Sequence, residues 1–125
     1  MPRKPERQPR WLPEPKDHDY PAAELYLSLI YSARRSAKLV TELRAAKGRK
    51  FKAKDIFRAS QLSLLGISNS HVEKDQKKIK QNVALSPILL VRDRHNGKVV
   101  IADGYHRLCA VYTYDEDAWI PCKIV

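Results

Sequence analysis

The sequence predicts a small α+β domain, in which helices surround a small mixed β-sheet. Two β-branched runs, residues 86–91 and 99–102, flank Asn96-Gly97, a dipeptide typical of a β-hairpin turn. The segments before and after this hairpin place apolar residues at helical spacing instead. The chain of 125 residues supports one domain, because a core of useful size needs about 100 to 150 residues.

Residues 1–21 are predicted to form an extended, basic arm, because six of the eight prolines fall there among charged residues. Such a composition buries too little apolar surface to form a core. Trp11 and Leu12 are the exceptions, and we expect them to dock onto the domain or onto a second copy of the chain, as in a homodimer. The rest is predicted as a single domain over residues 22–125, with a helical extension over 22–48 and a core over 51–125.

The helical extension is predicted from Leu25 and Leu29, whose spacing continues or restarts through Leu39 and Leu43. It is therefore one long helix or two short ones, ending near Gly48. Next, residues 51–56 alternate apolar and polar side chains, which predicts a half-buried strand that leads Ile56 and Phe57 into the core.

An irregular connection is expected over residues 63–69, after which Asn69 or Ser70 caps a helix from His71 to Gln81. The hairpin then leads into a second helix from Tyr105 to Tyr114. An acidic turn over residues 115–117 ends this helix, and residues 120–125 supply the last strand.

The start of the helix at Tyr105 is a predicted anion site. Its unpaired backbone N–H groups, the positive end of its dipole and the Arg107 guanidinium point toward one place. His106 and Arg107 diverge by about 100 degrees as consecutive helical residues, so they flank a phosphate from the helix tip.

Each of these residues also has a purely structural interpretation. Gly104 can serve only to permit a positive φ in the turn, and Arg107 can pack against the acidic turn over residues 115–117. Asp103 is expected to cap the helix rather than to act in catalysis. Tyr105 either stacks on a base or seals the core.

The net charge of +10 and the pI of about 9.8 favour polyanionic partners. Residues 34–58 hold ten basic and two acidic side chains and so carry +8 of this charge. The alternative is that these basic residues form a solvated helix face and loop with no ligand. The predicted contacts to a nucleic-acid backbone are Arg34, Arg35, Lys38, Arg44, Lys47, Arg49, Lys50 and Lys52.

Several classes of protein are not expected. No apolar run approaches the roughly 18 to 20 residues of a membrane span, and the first ten residues lack the apolar segment of a secretory signal, so we expect a cytoplasmic protein with no membrane partner. Cys109 and Cys122 form no C-x-x-C pair and are expected as buried thiols. The four histidines are scattered, and no structural metal is expected.

The second half of the chain resembles the ParB and sulfiredoxin superfamily. The resemblance rests on residues 86–91, Gly97, the run Ile101-Ala102-Asp103-Gly104-x-His106-Arg107-x-x-Ala110, and Ile120-Pro121 before the final strand. More loosely, residues 54–58 resemble the strand and box that precede it in the family. The resemblance implies a ParB/sulfiredoxin-like fold whose turn binds nucleotide phosphates through Asp103, Gly104, Tyr105, His106 and Arg107, with Lys54 and Arg58.

Members of this superfamily differ at the turn. ParB proteins carry G-E-R-R and use CTP, sulfiredoxins carry G-C-H-R and use ATP, and free serine kinases carry D-G-H-H-R and use an adenine nucleotide. Asp103-Gly104-Tyr105-His106-Arg107 is most similar to the kinase form. Because Tyr105 stands at the position of the sulfiredoxin cysteine, and a phenol cannot attack as a thiolate does, sulfiredoxin activity is not expected. With the chain ending at Val125, the DNA-reading helix-turn-helix of ParB is not expected either.

Three functions follow from the sequence as hypotheses. The first is a ParB-like domain that binds CTP, ATP or ADP with magnesium, with hydrolysis and phosphotransfer left open. The second is a non-enzymatic basic protein that contacts nucleic-acid phosphates without reading bases. The third is a small-molecule kinase, whose general base and magnesium ligand would come from Asp55, Glu73, Asp75 or Asp103.

Overall fold

The computed structural model describes residues 8–65 and 69–125. It confirms the predicted α+β class. In chain order the elements are α1 Asp19–Leu27, α2 Ala33–Ala45, β1 Arg49–Lys52, α3 Ala53–Ser60, α4 Ser70–Lys80, β2 Ile88–Asp93, β3 Lys98–Asp103, α5 Tyr105–Tyr114 and β4 Trp119–Ile124.

The four strands form one mixed sheet in the order β1-β4-β2-β3. The two outer pairs, β1 with β4 and β2 with β3, are antiparallel, whereas the central pair of β2 and β4 is parallel. The predicted hairpin is present, with Asp93 opposite Lys98. Gly97 has the positive φ of 64° that an Asn-Gly turn needs.

Helices pack on both faces of the sheet. Side chains alternate between the two faces along each strand, so one strand can contribute residues to two cores, as β2 and β3 do. Ile88, Leu90 and Ile101 pack with buried residues of α3, α4 and α5, on what we term the α3–α5 face. Leu89 and Val91 pack on the opposite side with α1 and α2, on the α1–α2 face. The domain therefore has three layers and two buried cores.

The predicted strand over residues 51–56 is wrong after Lys52. The strand β1 ends at Lys52, and the chain turns directly into α3. The amides of Ala53 and Lys54 donate to the carbonyls of Ala118 and Glu116, each at 2.9 Å, and these bonds fix the helix start. Ile56 is still buried, but through helical rather than strand spacing.

The helical extension consists of two helices, one of the two alternatives that its periodicity left open. Helix α1 ends at Leu27, and the Ser32 side chain caps α2 by accepting from the Arg35 amide at 3.1 Å. Helix α1 begins at Asp19, inside the predicted arm. Among the described residues, no helix is both long and apolar enough to cross a bilayer.

The predicted helix near residue 71 matches α4, which Asn69 caps by accepting from the amides of His71 and Val72. The chain just after α3 is irregular over residues 62–65. The remainder of the predicted connection, residues 66–68, lies outside the described residues.

The arm is anchored to the domain at Trp11, which pairs with Leu85 as a parallel bridge and packs against the core of the α3–α5 face. The Leu12 amide donates to the Leu85 carbonyl and the Leu85 amide donates to the Arg10 carbonyl, both at 2.8 Å. Trp11 therefore docks onto its own domain. Residues 1–7 of the predicted arm lie outside the described residues.

The packing of α1 can be tested with two leucines that lie two positions apart. Leu27 is fully buried, whereas Leu29 is 82% exposed. We expect Leu27→Ala to lower the free energy of unfolding by about 2 to 5 kcal/mol, because it leaves a cavity. Leu29→Ala should change it by less than about 0.5 kcal/mol. Urea denaturation followed by circular dichroism measures both, and equal losses would contradict the placement of α1 on the sheet.

Candidate functional site

A cleft of about 240 Å³ lies between α4 and the first turn of α5. We call it the α4–α5 cleft. Helix α4 contributes one face, and the β3–α5 turn contributes the other wall. The lining residues are His71, Lys74, Asp75, Lys78, Asp103, Gly104, His106 and Arg107.

Gly104 shapes the turn that forms this wall. It is the N-cap of α5 and has a φ of 110°, which side chains rarely tolerate. A Cβ added here would lie 2.9 Å from Cγ1 of Ile88 and 2.9 Å from Nη2 of Arg107. Glycine is therefore required both by the backbone conformation and by the close approach of β2.

The absence of a side chain at Gly104 leaves α5 without a side-chain cap. By comparison, Ser32 caps α2 and Asn69 caps α4, whereas α1 and α3, like α5, have no side-chain cap. The first amides of a helix have no partner within the helix, and they carry the positive end of its dipole. The start of α5, which lines the α4–α5 cleft, therefore has such amide donors.

Arg107 is held by two carboxylates of its own chain. Its Nη2 donates to Oδ2 of Asp103 at 2.8 Å and lies 4.0 Å from Oδ2 of Asp19. Asp19 is buried and accepts a hydrogen bond from the Ser86 hydroxyl. Arg107 Nε is buried and, within residues 8–65 and 69–125, has no hydrogen-bond partner.

Two of the structural interpretations are wrong. Asp103 does not cap α5, because the N-cap is Gly104 and the Asp103 carboxylate accepts from Arg107 instead. Arg107 pairs with Asp103 rather than with the acidic turn, where Asp117 pairs with Lys52 and Lys54.

Helix α4 places four polar side chains along the cleft at positions i, i+3, i+4 and i+7, which share one helix face. The first of them, His71, meets His106 of α5, and their ring centroids are 4.8 Å apart. Farther along, Lys78 Nζ lies 3.9 Å from Oδ1 of Asp75. Two separate elements therefore bring charged side chains to one cleft.

Burial shifts the pKa values of three groups here. It raises the pKa of Asp75, against the lowering effects of Lys78 and Arg107. It likewise raises the pKa of Asp103, where the Arg107 guanidinium opposes it. Burial lowers the pKa of His106, and the nearby His71 lowers it further. The neutral imidazole, which both donates and accepts a hydrogen bond, is therefore favoured at His106.

A second cleft, of about 360 Å³, lies on the other side of the same turn. It shares Asp103, Gly104 and His106 with the α4–α5 cleft, and its walls include Tyr26 of α1 and Leu62. We call it the Tyr26 cleft. A ligand that straddles the turn would meet charged groups on one side and largely apolar ones on the other.

Tyr105 lies beside the turn and lines the Tyr26 cleft rather than the α4–α5 cleft. It also packs against the core and donates its hydroxyl to the Ser63 carbonyl. The structure separates the other two residues predicted for this site from both clefts. Lys54 and Arg58 do not line the α4–α5 cleft. They lie on α3, where Lys54 Nζ is 2.6 Å from Asp117 and Arg58 is 3.7 Å from Asp55.

His71, Lys74 and Lys78 were not among the residues predicted for this site. Their helical spacing was visible, but a lysine-rich helix face is usually only solvated, and nothing local pairs α4 with the distant start of α5. Of the four candidate carboxylates, Asp75 and Asp103 line the cleft. Asp55 and Glu73 instead pair with Arg58 and Lys77.

Comparison of the chain with protein-family models, with curated proteins and with solved structures finds no match. The resemblance to ParB and sulfiredoxin proteins therefore rests on the sequence alone, and the site must be interpreted from its own geometry.

The strain at the turn can be tested with a glycine series. Gly104→Ala should lower the free energy of unfolding by about 1 to 3 kcal/mol, because the new Cβ meets Ile88 in a disfavoured conformation. Gly97→Ala has open space but a φ of 64° and should cost about 1 kcal/mol. Gly48→Ala has neither obstacle and should cost almost nothing. Thermal denaturation ranks the three, and a Gly104→Ala variant as stable as Gly48→Ala would refute this geometry.

The contacts around His106 predict how its imidazole titrates in an NMR experiment. Its pKa should lie below the ordinary value. Asp75→Asn should lower it further, because the carboxylate stabilises the imidazolium, and His71→Ala should raise it, because the His71 ring lowers the His106 pKa and contributes to its burial. If neither substitution moves the His106 pKa, the packing of α4 on α5 is incorrect.

Proposed function

We propose that this protein binds a nucleotide, with its phosphates in the α4–α5 cleft. The observation that carries the proposal is the convergence of Lys74, Lys78 and Arg107 with the uncapped first turn of α5. Helix N-termini and cationic side chains are the standard partners of phosphate groups. The cleft is lined by three cationic side chains and two carboxylates, so its net charge is positive.

The size of the clefts supports a nucleotide that extends across the turn. About 240 Å³ is below the roughly 300 to 1,000 Å³ typical of small-molecule sites, so the α4–α5 cleft suits phosphates rather than a whole nucleotide. The Tyr26 cleft adds largely apolar walls on the other side of Gly104. A base and sugar placed there would still be joined to phosphates in the α4–α5 cleft, with the nucleotide passing over the turn.

The Asp103–Arg107 pair defines what Arg107 contributes. Because its Nη2 already donates to Asp103, Arg107 acts chiefly as part of the wall that positions the α5 amides. The lysines of α4 then supply the positive charge that contacts the phosphates. Lys74 has no carboxylate within 4 Å in residues 8–65 and 69–125, so it is available to a phosphate.

A magnesium ion fits this site only as a companion of the nucleotide. Within the described chain, no three His, Cys, Asp or Glu side chains are grouped so that they could hold a metal. Magnesium usually binds one or two carboxylates together with substrate phosphates. Asp75 is the carboxylate that would contact such an ion, because Asp103 is engaged by Arg107. The same carboxylate would serve a phosphotransfer reaction on a small hydroxyl substrate.

Isothermal calorimetry with CTP, ATP, ADP and GTP, each with magnesium, tests the proposal. We expect at least one nucleotide to bind, and Lys74→Ala to weaken it by about fivefold, as expected for one partly exposed charge. Lys77→Ala is the matched control, since Lys77 lies on the same helix outside the cleft and pairs with Glu73. No heat with any of the four, or equal weakening in the two variants, would reject the α4–α5 cleft as the site.

A further inference from the structure

An exposed tryptophan lies on a part of the sheet that is not covered by any helix of the described residues. On β4 the side chains that point to the α1–α2 face become more exposed toward the strand start, from 6% at Lys123 to 58% at Trp119. Helix α2 ends beside Lys123, whose Nζ donates to the Arg44 carbonyl at 3.0 Å. Pro121 and Trp119 lie beyond this point, so the indole ring faces outward.

A row of lysines begins beside this indole and runs away from it along the edge strand β1. Lys52 is paired with Trp119 and Lys50 with Pro121, and directly paired residues point to the same face of a sheet. The Lys52 Nζ lies 5.4 Å from the centre of the Trp119 ring. Lys47 is in the short connection between α2 and β1. We call this patch the Trp119 surface: Lys47, Lys50, Lys52, Trp119 and Pro121.

The charge of the Trp119 surface is only partly neutralised. Asp117 lies 3.9 Å from Lys52 but is closer to Lys54, at 2.6 Å. Among the described residues, Lys47 and Lys50 have no carboxylate within 4 Å, and the same is true of the neighbouring Arg44 and Arg49. Lys52 is engaged by Asp117 and by the Trp119 ring, so Lys47 and Lys50 are the lysines left to a partner. A surface that joins an exposed indole to such lysines is complementary to a polyanion that carries flat aromatic groups.

We propose that the Trp119 surface binds single-stranded nucleic acid, with a base stacked on the indole and the adjoining phosphates held by Lys47 and Lys50. Stacking distinguishes this partner from a duplex, whose bases are already stacked inside the helix. An anionic membrane or an acidic protein would bury the same ring instead of stacking a flat group on it, so binding to vesicles is kept as an outcome of the test. Stacking on aromatic side chains above a basic groove is the common way in which single strands are bound.

The test is fluorescence anisotropy of the full chain with a labelled oligothymidine, with the matching duplex as competitor. We expect the single strand to bind more tightly than the duplex. Trp119→Ala should weaken single-strand binding by about tenfold, whereas Trp119→Phe should retain most of it. Because Trp119 is exposed, both variants should keep the circular dichroism spectrum of the parent chain.

The lysines predict a salt dependence. Replacing Lys47 and Lys50 together by alanine should reduce the slope of log affinity against log salt by about 1.4, or about 0.7 per lost phosphate contact. Lys98→Ala, on the opposite edge strand β3, should leave the slope unchanged. Lys74→Ala should leave single-strand binding intact, so this result is independent of nucleotide binding in the α4–α5 cleft.

Four outcomes would overturn the proposal. They are no binding at low salt, duplex binding as tight as single-strand binding, affinity that is unchanged in Trp119→Ala, and binding only to vesicles of an anionic lipid. The second and third together would indicate a surface that contacts phosphates without stacking bases.

Discussion

The close approach of Gly104 to Ile88 is the constraint on which the candidate site depends. Only a residue without a Cβ lets the turn between β3 and α5 lie directly against β2, because an added Cβ would be 2.9 Å from the Ile88 side chain. This contact sets the start of α5 at the edge of the α3–α5 core, and the same turn separates the α4–α5 cleft from the Tyr26 cleft. A bulkier residue would move the wall of both clefts at once.

The charges of the α4–α5 cleft do not favour stability. Burial raises the pKa of both Asp75 and Asp103. A carboxyl whose pKa is higher in the folded state binds its proton more tightly there, so folding loses stability as the pH rises from the unfolded pKa through the folded one. Buried carboxylates, an arginine whose Nε has no partner among the described residues, and two facing histidines are kept at one place despite this cost. Such perturbed groups are concentrated at functional sites in proteins.

The features predicted from the sequence are those that residues close together in the chain determine. The hairpin, α4 with its Asn69 cap and the helix after Gly104 were predictable, because turn residues, caps and periodicity act within a few positions. The strand over residues 51–56 was predicted too long, because its alternation of apolar and polar residues also fits the first turn of a helix. Hydrogen bonds to Ala118 and Glu116, which lie far along the chain, fix that turn. For the same reason the sequence indicated the α5 half of the cleft and not the α4 half.

NMR chemical-shift mapping with inorganic phosphate and with a bound nucleotide tests whether phosphate binds in the α4–α5 cleft, because the shifts report which amides lie near it. We expect the largest amide shifts on Tyr105, His106 and Arg107 at the start of α5, with smaller shifts along the Lys74 face of α4. Shifts confined to other parts of the chain, or none at saturating nucleotide, would contradict it.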